Sequence, residues 1–206
     1  MKEQWNERYS ASEYIYGTGP NTWLVEKLAG LQPGKILFPA EGEGRNAVYA
    51  ARLGWNVAAF DQSEAGRKKA LKLAEISEVE ISYLIDDLTS FLAPEWEFDA
   101  IALIFVHMPI EIRQTVHQRL LRFLKPGGHL ILEAFTKDQL KNTSGGPKTE
   151  MLLYEKNFIA NDFSEMEFIE FSETTSQLDE GPLHQGEAHV IRLFAKKPLI
   201  PNRTTL

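Results

Sequence analysis

The chain contains no cysteine. That excludes a disulfide framework, a thiolate metal site and a cysteine nucleophile, and it agrees with a reducing compartment. Long apolar runs are also missing: the longest, Ala100 to Val106, falls far short of the ~20 residues that span a bilayer. The opening Met1-Lys2-Glu3-Gln4-Trp5-Asn6-Glu7-Arg8 carries charges where a signal peptide has its apolar stretch. The sequence therefore reads as that of a cytoplasmic protein with no membrane partner. Positive charge is scarce, 22 Lys and Arg against 29 Asp and Glu for a net charge of -7, whereas tracking a phosphate backbone needs a basic stripe. The basic clusters, Arg67-Lys68-Lys69 with Lys72 and Arg113, Arg119 and Arg122 with Lys125, lie in helical patterns and read as solvated helix faces. No nucleic-acid partner is expected.

With 206 residues, one core can bury roughly 70% of the surface the unfolded chain exposes, without metals or disulfides. Short apolar runs at 36–38, 57–60, 81–85, 100–106 and 130–135 suit strands covered on both faces. Helical segments fit between them. Pro20 and Gly30 bracket a helix over 21–29. A second runs from Asn46 to Leu53, and Ser63 caps a third ending near Ile76. Ile112, Val116, Leu120 and Phe123 or Leu124 draw the apolar stripe of a fourth, closed by Lys125-Pro126-Gly127-Gly128. This alternation predicts a doubly wound α/β domain around a parallel sheet. The last third departs from it: a polar loop over 141–147, a short helix capped by Thr149 with Met151, Tyr154 and Phe158 on one face, then an antiparallel pair of strands, 165–171 and 188–196, joined by a long loop. The expected organisation is one domain over 1–197, with a lid and helix in residues 1–30, followed by a frayed tail over 198–206.

After the first strand, Gly42-Glu43-Gly44-Arg45-Asn46-Ala47 satisfies the G-x-G-x-x-G/A pattern, and Asp61 ends the next strand where a carboxylate can hold two ribose hydroxyls. Charge selects the nucleotide. A pyrophosphate at this helix N-terminus would meet Glu41 and Glu43, which is costly. S-adenosylmethionine has ribose and adenine without phosphate, and its sulfonium and ammonium attract carboxylates. A nicotinamide dinucleotide fits only if those carboxylates turn away.

These motifs resemble a class I S-adenosylmethionine-dependent methyltransferase, and the chain is similar to the small bacterial group of tellurite-resistance and thiopurine-type methyltransferases. The resemblance runs from Trp5 to Lys196: residues 36–46 fall on the first motif, 59–63 on the second, 85–88 on the third, 98–101 on the fourth and 121–128 on the approach to the fifth strand. It implies a Rossmann-like seven-stranded sheet, mostly parallel, with an antiparallel last strand inserted beside the one before it. It also implies that Gly42 and Gly44 let the methionine moiety approach the backbone, that Asp61 with Gln62 serves the ribose, and that Asp87 with the Leu88 amide reads the adenine. Tyr16, Asn46 and Phe105 complete the expected contacts. Phe38 stands where the commoner motif has an acid and Ala40 where it has a third glycine, so Glu41 or Glu43 is expected to replace that acid. Tyr14, Tyr16, Gly17 and Asn21 lie where the superfamily keeps a lid.

Methyl transfer is an in-line displacement in which the protein mainly aligns reactants and excludes water. His107, after the fourth strand, is placed to accept a proton from the acceptor, to orient it, or to serve as a helix-cap or packing residue. His184, in Glu180-Gly181-Pro182-Leu183-His184-Gln185-Gly186, is a second substrate-side candidate. His117, His129 and His189 read as structural or solvated. The chain lacks the Asp/Asn-Pro-Pro-aromatic tetrapeptide of amine and amide methylators, and no appended recognition domain is expected, which favours a small-molecule or small oxyanion acceptor. Consecutive Asp86 and Asp87 make no ligand set, and no metal is expected. A monomer or weak homodimer is expected. The rival readings are a cofactor-binding module without turnover, acting through a protein partner, and an NAD-dependent oxidoreductase.

Overall fold

A computed structural model describes residues 2–199. The apolar runs form the strands β1 (Lys35–Pro39), β2 (Asn56–Asp61), β3 (Ser82–Ile85), β4 (Phe98–Ile104) and β5 (Leu124–Phe135), followed by β6 (Glu167–Asp179) and β7 (Gln185–Lys196). They make one seven-stranded sheet in the order β3-β2-β1-β4-β5-β7-β6. The first five run parallel, and β7 is antiparallel both to β5 and to β6. The doubly wound α/β sheet with an inserted antiparallel last strand is thus as the sequence indicates.

Alternation along the strands divides the core between the two faces. Ile36, Phe38, Val57, Ala59, Ala100 and Ala102 pack with Trp23, Leu24 and Leu28 of α2 (Thr22–Leu28), Ala47 and Ala50 of α3 (Arg45–Arg52) and Ala70 of α4 (Glu64–Ile76). Leu37, Phe60, Ile101 and Leu103 pack with Val116, Leu120 and Phe123 of α5 (Ile110–Phe123) and Ile159 of α6 (Lys156–Asp162). An additional helix, α1 (Lys2–Tyr9), lies against α4. Ser63 caps α4 as the sequence suggests, accepting from the Gly66 amide, whereas α2 starts later than expected, with Asn21 as its cap, accepting from the Leu24 amide, and Pro20 outside the helix.

Four expectations are corrected. Lys125-Pro126-Gly127-Gly128 does not stop α5 in a turn; the chain becomes extended at Leu124 and these residues open β5. Thr149 makes no side-chain cap, and a 3₁₀ turn (Glu150–Leu152) and α6 replace the single short helix, leaving Met151 exposed while Tyr154 is buried. The antiparallel strands are longer than 165–171 and 188–196, so the connection shrinks to residues 180–184. The sheet-edge strand β6 is almost wholly exposed and carries no burial pattern that sequence could reveal. Nor is Arg113 solvated: it is buried and forks onto Asp162, 2.6 Å from Nε to Oδ2. The tail expected over 198–206 lies, from residue 200 onward, outside the described residues. Among the described residues no helix is long and apolar enough to cross a membrane.

Candidate active site

The sheet order reverses between β1 and β4, the place where open α/β sheets receive ligands at the carboxyl ends of their strands. There the chain leaves both strands in left-handed backbone, φ 51° at Ala40 and 53° at Phe105. Such values are uncommon outside glycine and cluster at functional sites. A cavity of about 610 Å³ opens above them, within the range of small-molecule sites. The arm formed by α1 and residues 10–19 walls one side through Trp5, Arg8, Tyr9, Tyr16 and Gly17.

One half of the cavity is acidic. Glu41, Asp61, Asp86 and Asp87 line it, with Gln62 and Leu88. Asp61, at the end of β2, accepts from the Gly42 amide at 3.1 Å through Oδ2 and from the Ser63 amide at 2.8 Å through Oδ1, and burial raises its pKa. Asp87 is braced by Thr89, whose amide and hydroxyl donate to Oδ1 at 2.8 and 2.6 Å. Glu41 accepts the Asn46 and Ala47 amides at 2.9 and 2.8 Å, occupying the N-terminus of α3. Burial pushes its carboxyl up to about 7. Glu43 instead fastens the arm: it pairs with Lys69 at 2.7 Å and accepts the Ile15 and Tyr16 amides at 2.8 and 3.3 Å.

The glycines act differently from expectation. Gly42 and Gly44 are absent from the cavity wall. A Cβ at Gly42, φ 64°, would stand 2.5 Å from the Tyr9 hydroxyl, and one at Gly44, φ 88°, 2.5 Å from the Ala70 Cβ. They admit the turn and the close packing of α1 and α4, and Ala40, Glu41 and Glu43 face the cavity in their place.

The other half is aromatic and basic. Phe105 stacks on Phe135 at 4.5 Å, and the His184 ring meets Phe105 edge-on at 4.7 Å and Tyr16 at 4.5 Å. Arg8 and Lys148 add positive charge, with the Arg8 guanidinium donating to the Tyr16 hydroxyl at 2.9 Å.

The two candidate histidines separate clearly. Both ring nitrogens of His107 are engaged by backbone: Nδ1 lies 2.7 Å from the Leu152 carbonyl, and Nε2 accepts the Phe135 amide at 3.3 Å. This fixes the Nδ1–H tautomer, and burial lowers the pKa to about 4. His107 lines the cavity without a free lone pair, so the proton-acceptor reading is corrected and, of the roles the sequence left open, the packing one fits: the ring staples the ends of β4 and β5 to the 3₁₀ turn. His184 differs. Its Nδ1 lies 3.3 Å from Glu180 Oε2, and no described residue bonds Nε2. Sequence reasoning missed Trp5, Arg8, Tyr9, Arg45 and Glu180. A signal existed in the four-residue spacing of Glu180 and His184 around Gly181-Pro182.

Residues 36–128 match the model of a family described as a methyltransferase domain. The chain is similar to a probable S-adenosyl-L-methionine-dependent methyltransferase, TehB, of Haemophilus influenzae, with 23% identity over 157 residues, 75% of this chain and 54% of the relative. It thus spans about half the length of the curated relatives it matches. The crystal structure of TehB from Haemophilus influenzae superposes with a TM-score of 0.72 at 18% identity, covering 95% of this chain and 66% of that one. A structure concerned with conversion of a disulfide bond into a thioacetal group during echinomycin biosynthesis gives 0.80 at 14% identity, covering 98% and 93%. Magnesium protoporphyrin IX methyltransferase from Synechocystis PCC 6803, solved with S-adenosylmethionine bound, gives 0.61 at 16%, covering 95% and 79%. At these identities the structural likeness is one of fold.

Proposed function

We propose that the chain carries a class I S-adenosylmethionine-dependent methyltransferase domain, as its match to a methyltransferase-domain family and its similarity to TehB suggest, and that it methylates a small-molecule or small oxyanion acceptor. The observation that carries the reading is the division of one cavity into an acidic half and an aromatic, basic half that contains His184.

The donor set suits the cofactor. Asp61 would take the ribose hydroxyls and Asp87 the adenine amino group, while Glu41 lends negative charge to the half that would receive the cationic methionine portion. S-adenosylmethionine, when bound, supplies an electrophilic methyl group for in-line displacement by an acceptor atom. The chain's own residues do the rest. Phe105, Phe135 and Tyr16 wall the acceptor side and exclude water, which strengthens every charge inside. Glu180 holds the proton of His184 on Nδ1, so Nε2 presents its lone pair to the acceptor's X–H group. Arg8 and Lys148 favour an acceptor of negative charge. The net charge of -7 supports a partner list without nucleic acid, and a cytoplasmic monomer or weak homodimer is part of the same proposal.

Transfer of a labelled methyl group from S-adenosylmethionine to a panel of small thiols, hydroxy acids and oxyanions tests the reading. Turnover is expected, and it should drop about 10²–10⁴-fold in His184→Ala. Tight cofactor binding with no transfer to any member would support a module without turnover instead.

A further inference from the structure

His184 does not stand alone behind its cavity. Glu180 Oε2 receives both His184 Nδ1 and, at 2.8 Å, the guanidinium of Arg45. Arg45 belongs to the glycine-rich turn that starts α3, and it also donates to the Gly19 carbonyl at 3.2 Å. The second carboxylate oxygen, Oε1, accepts Asn21 Nδ2 at 3.0 Å, and the same amide nitrogen donates to Glu133 Oε1 of β5 at 2.7 Å. Glu133 in turn pairs with Arg192 of β7. Arg45, Asn21, Glu133 and Glu180 are 0–8% exposed.

The orientation of Asn21 is over-determined. Its Oδ1 caps the Leu24 amide at 3.0 Å and its backbone amide donates to Asn46 Oδ1 at 2.9 Å. The NH₂ group therefore has to face two carboxylates, and both must be acceptors. A buried carboxylate that lost Arg45 or Asn21 would keep its charge with too few partners, an expensive state. A buried network satisfied at each of these atoms holds its members in one arrangement.

We infer that Arg45 and Asn21 are positioning residues which lock Glu180, and through it fix the His184 tautomer that presents Nε2 to the acceptor. The inference rests on His184 being the proton acceptor of the proposed transfer, but it concerns the state of the ring and is measurable without turnover. It also gives the Arg of the glycine-rich turn a task on the acceptor side: the loop that opens the cofactor half reaches, by one side chain, the base of the other half.

Charge follows from the same geometry. Burial alone pushes the Glu180 carboxyl up, but His184 and Arg45 outweigh it and hold the group at about 2. His184 is lowered by burial first, raised by Glu180, and lowered again by Arg45 of α3 and Arg8 of α1; Tyr16, whose ring lies 4.5 Å away, and His107, beyond β4, are titratable rings that face it. Glu133 faces Glu180 across Asn21. Removing Arg45 takes away a cation and leaves Glu180 with His184 as its principal donor, and both changes raise the His184 pKa.

The test is nitrogen-15 NMR of the histidine rings in the whole chain, with S-adenosylhomocysteine as the bound probe. The unaltered protein should show His184 as the Nδ1–H tautomer. Arg45→Met should move its titration midpoint up by about one pH unit, and Arg45→Lys, which keeps the charge but cannot fork to Gly19, should lie between the two. Should Arg45→Met not fold, Arg45→Lys and Asn21→Ser carry the test through mixed His184 tautomers. A midpoint and tautomer unchanged in every folded variant would overturn the positioning role. If they move as stated while His184→Ala retains full methyl transfer, the positioning stands and the assignment of His184 as base falls.

Discussion

Ala40 and Phe105 hold matching left-handed backbone, φ 51° and 53°, at the carboxyl ends of the neighbouring strands β1 and β4. For a residue with a Cβ this conformation costs about 1–2 kcal/mol. It turns the chain sharply out of both strands at the same level, which leaves the cleft between them that the ligand cavity fills.

Ala40→Gly should relieve that strain. Glycine takes back part of the gain through its freer unfolded chain, about 0.5–1 kcal/mol, so the expected net change is a stabilisation of up to about 1 kcal/mol in urea denaturation. Ala40→Val, β-branched at the same φ, should destabilise by about 2 kcal/mol or more. A stabilised valine variant would contradict the strained assignment.

His107 makes stability depend on pH in a defined window. Its folded pKa, about 4, lies below the ordinary 6.5 because the ring is buried. The unfolded chain therefore binds its proton first. The contribution is fully present above about pH 6.5 and declines as pH falls towards 4, with a limit on the order of 3 kcal/mol. Urea denaturation of the wild type and of His107→Gln at pH 7.5 and 5.0 should show a steeper loss in the wild type. Equal slopes would mean that the ring is not held neutral.

Glu41 predicts a proton event on cofactor binding. Its carboxyl sits at about 7, raised by burial, and a cationic ligand beside it favours the ionised form. Binding of S-adenosylmethionine should release a fraction of a proton near pH 7 and tighten as pH rises through that value. Calorimetry in two buffers of different ionisation heat measures the release directly. Glu41→Gln should abolish it, and an unchanged proton count in that variant would assign the release elsewhere.

Asp61→Ala should weaken S-adenosylmethionine binding by about 2–4 kcal/mol, on the order of 30- to 1000-fold. The side chain also accepts the Gly42 and Ser63 amides, so Asp61→Asn separates the roles: one amide oxygen keeps a structural bond while the charge is lost. Unchanged cofactor affinity in Asp61→Ala would remove the ribose assignment.

The sheet and the acidic half of the site were legible because each rests on local chemistry. Apolar runs bounded by Gly54 or Ser63, and a carboxylate at the end of β2, carry their meaning within a few residues. The acceptor half was not legible for the opposite reason. That His107 has no free lone pair depends on Leu152 and Phe135, 45 and 28 residues away, and that His184 keeps one depends on Arg45 from another element. The length of β6 escaped because an edge strand exposed on both faces shows no alternation. Arg113 looked solvated because its partner, Asp162, lies 49 residues on.

That buried pair supports the last prediction. Asp162, in α6, accepts from Arg113 Nε at 2.6 Å and lies 2.9 Å from His117 Nδ1, both on α5. Burial pushes the Asp162 carboxyl up, but the bonds from His117 and Arg113 outweigh it and its pKa is lowered. Burial lowers that of His117, so the ring is neutral, donates from Nδ1, and leaves Nε2 without a partner among the described residues. The cluster is thus one guanidinium facing one carboxylate, and it fixes α6 against α5. Asp162→Ala should cost about 3–5 kcal/mol, because a buried guanidinium loses its counter-charge. Arg113→Met should cost less, since the methionine fills apolar space beside Tyr154 and Phe158, over whose rings the guanidinium lies at 5.6 and 5.0 Å. Denaturant midpoints of the two variants and their double mutant decide it. A double mutant as unstable as the sum of the single losses would show that the pair does not act as a unit.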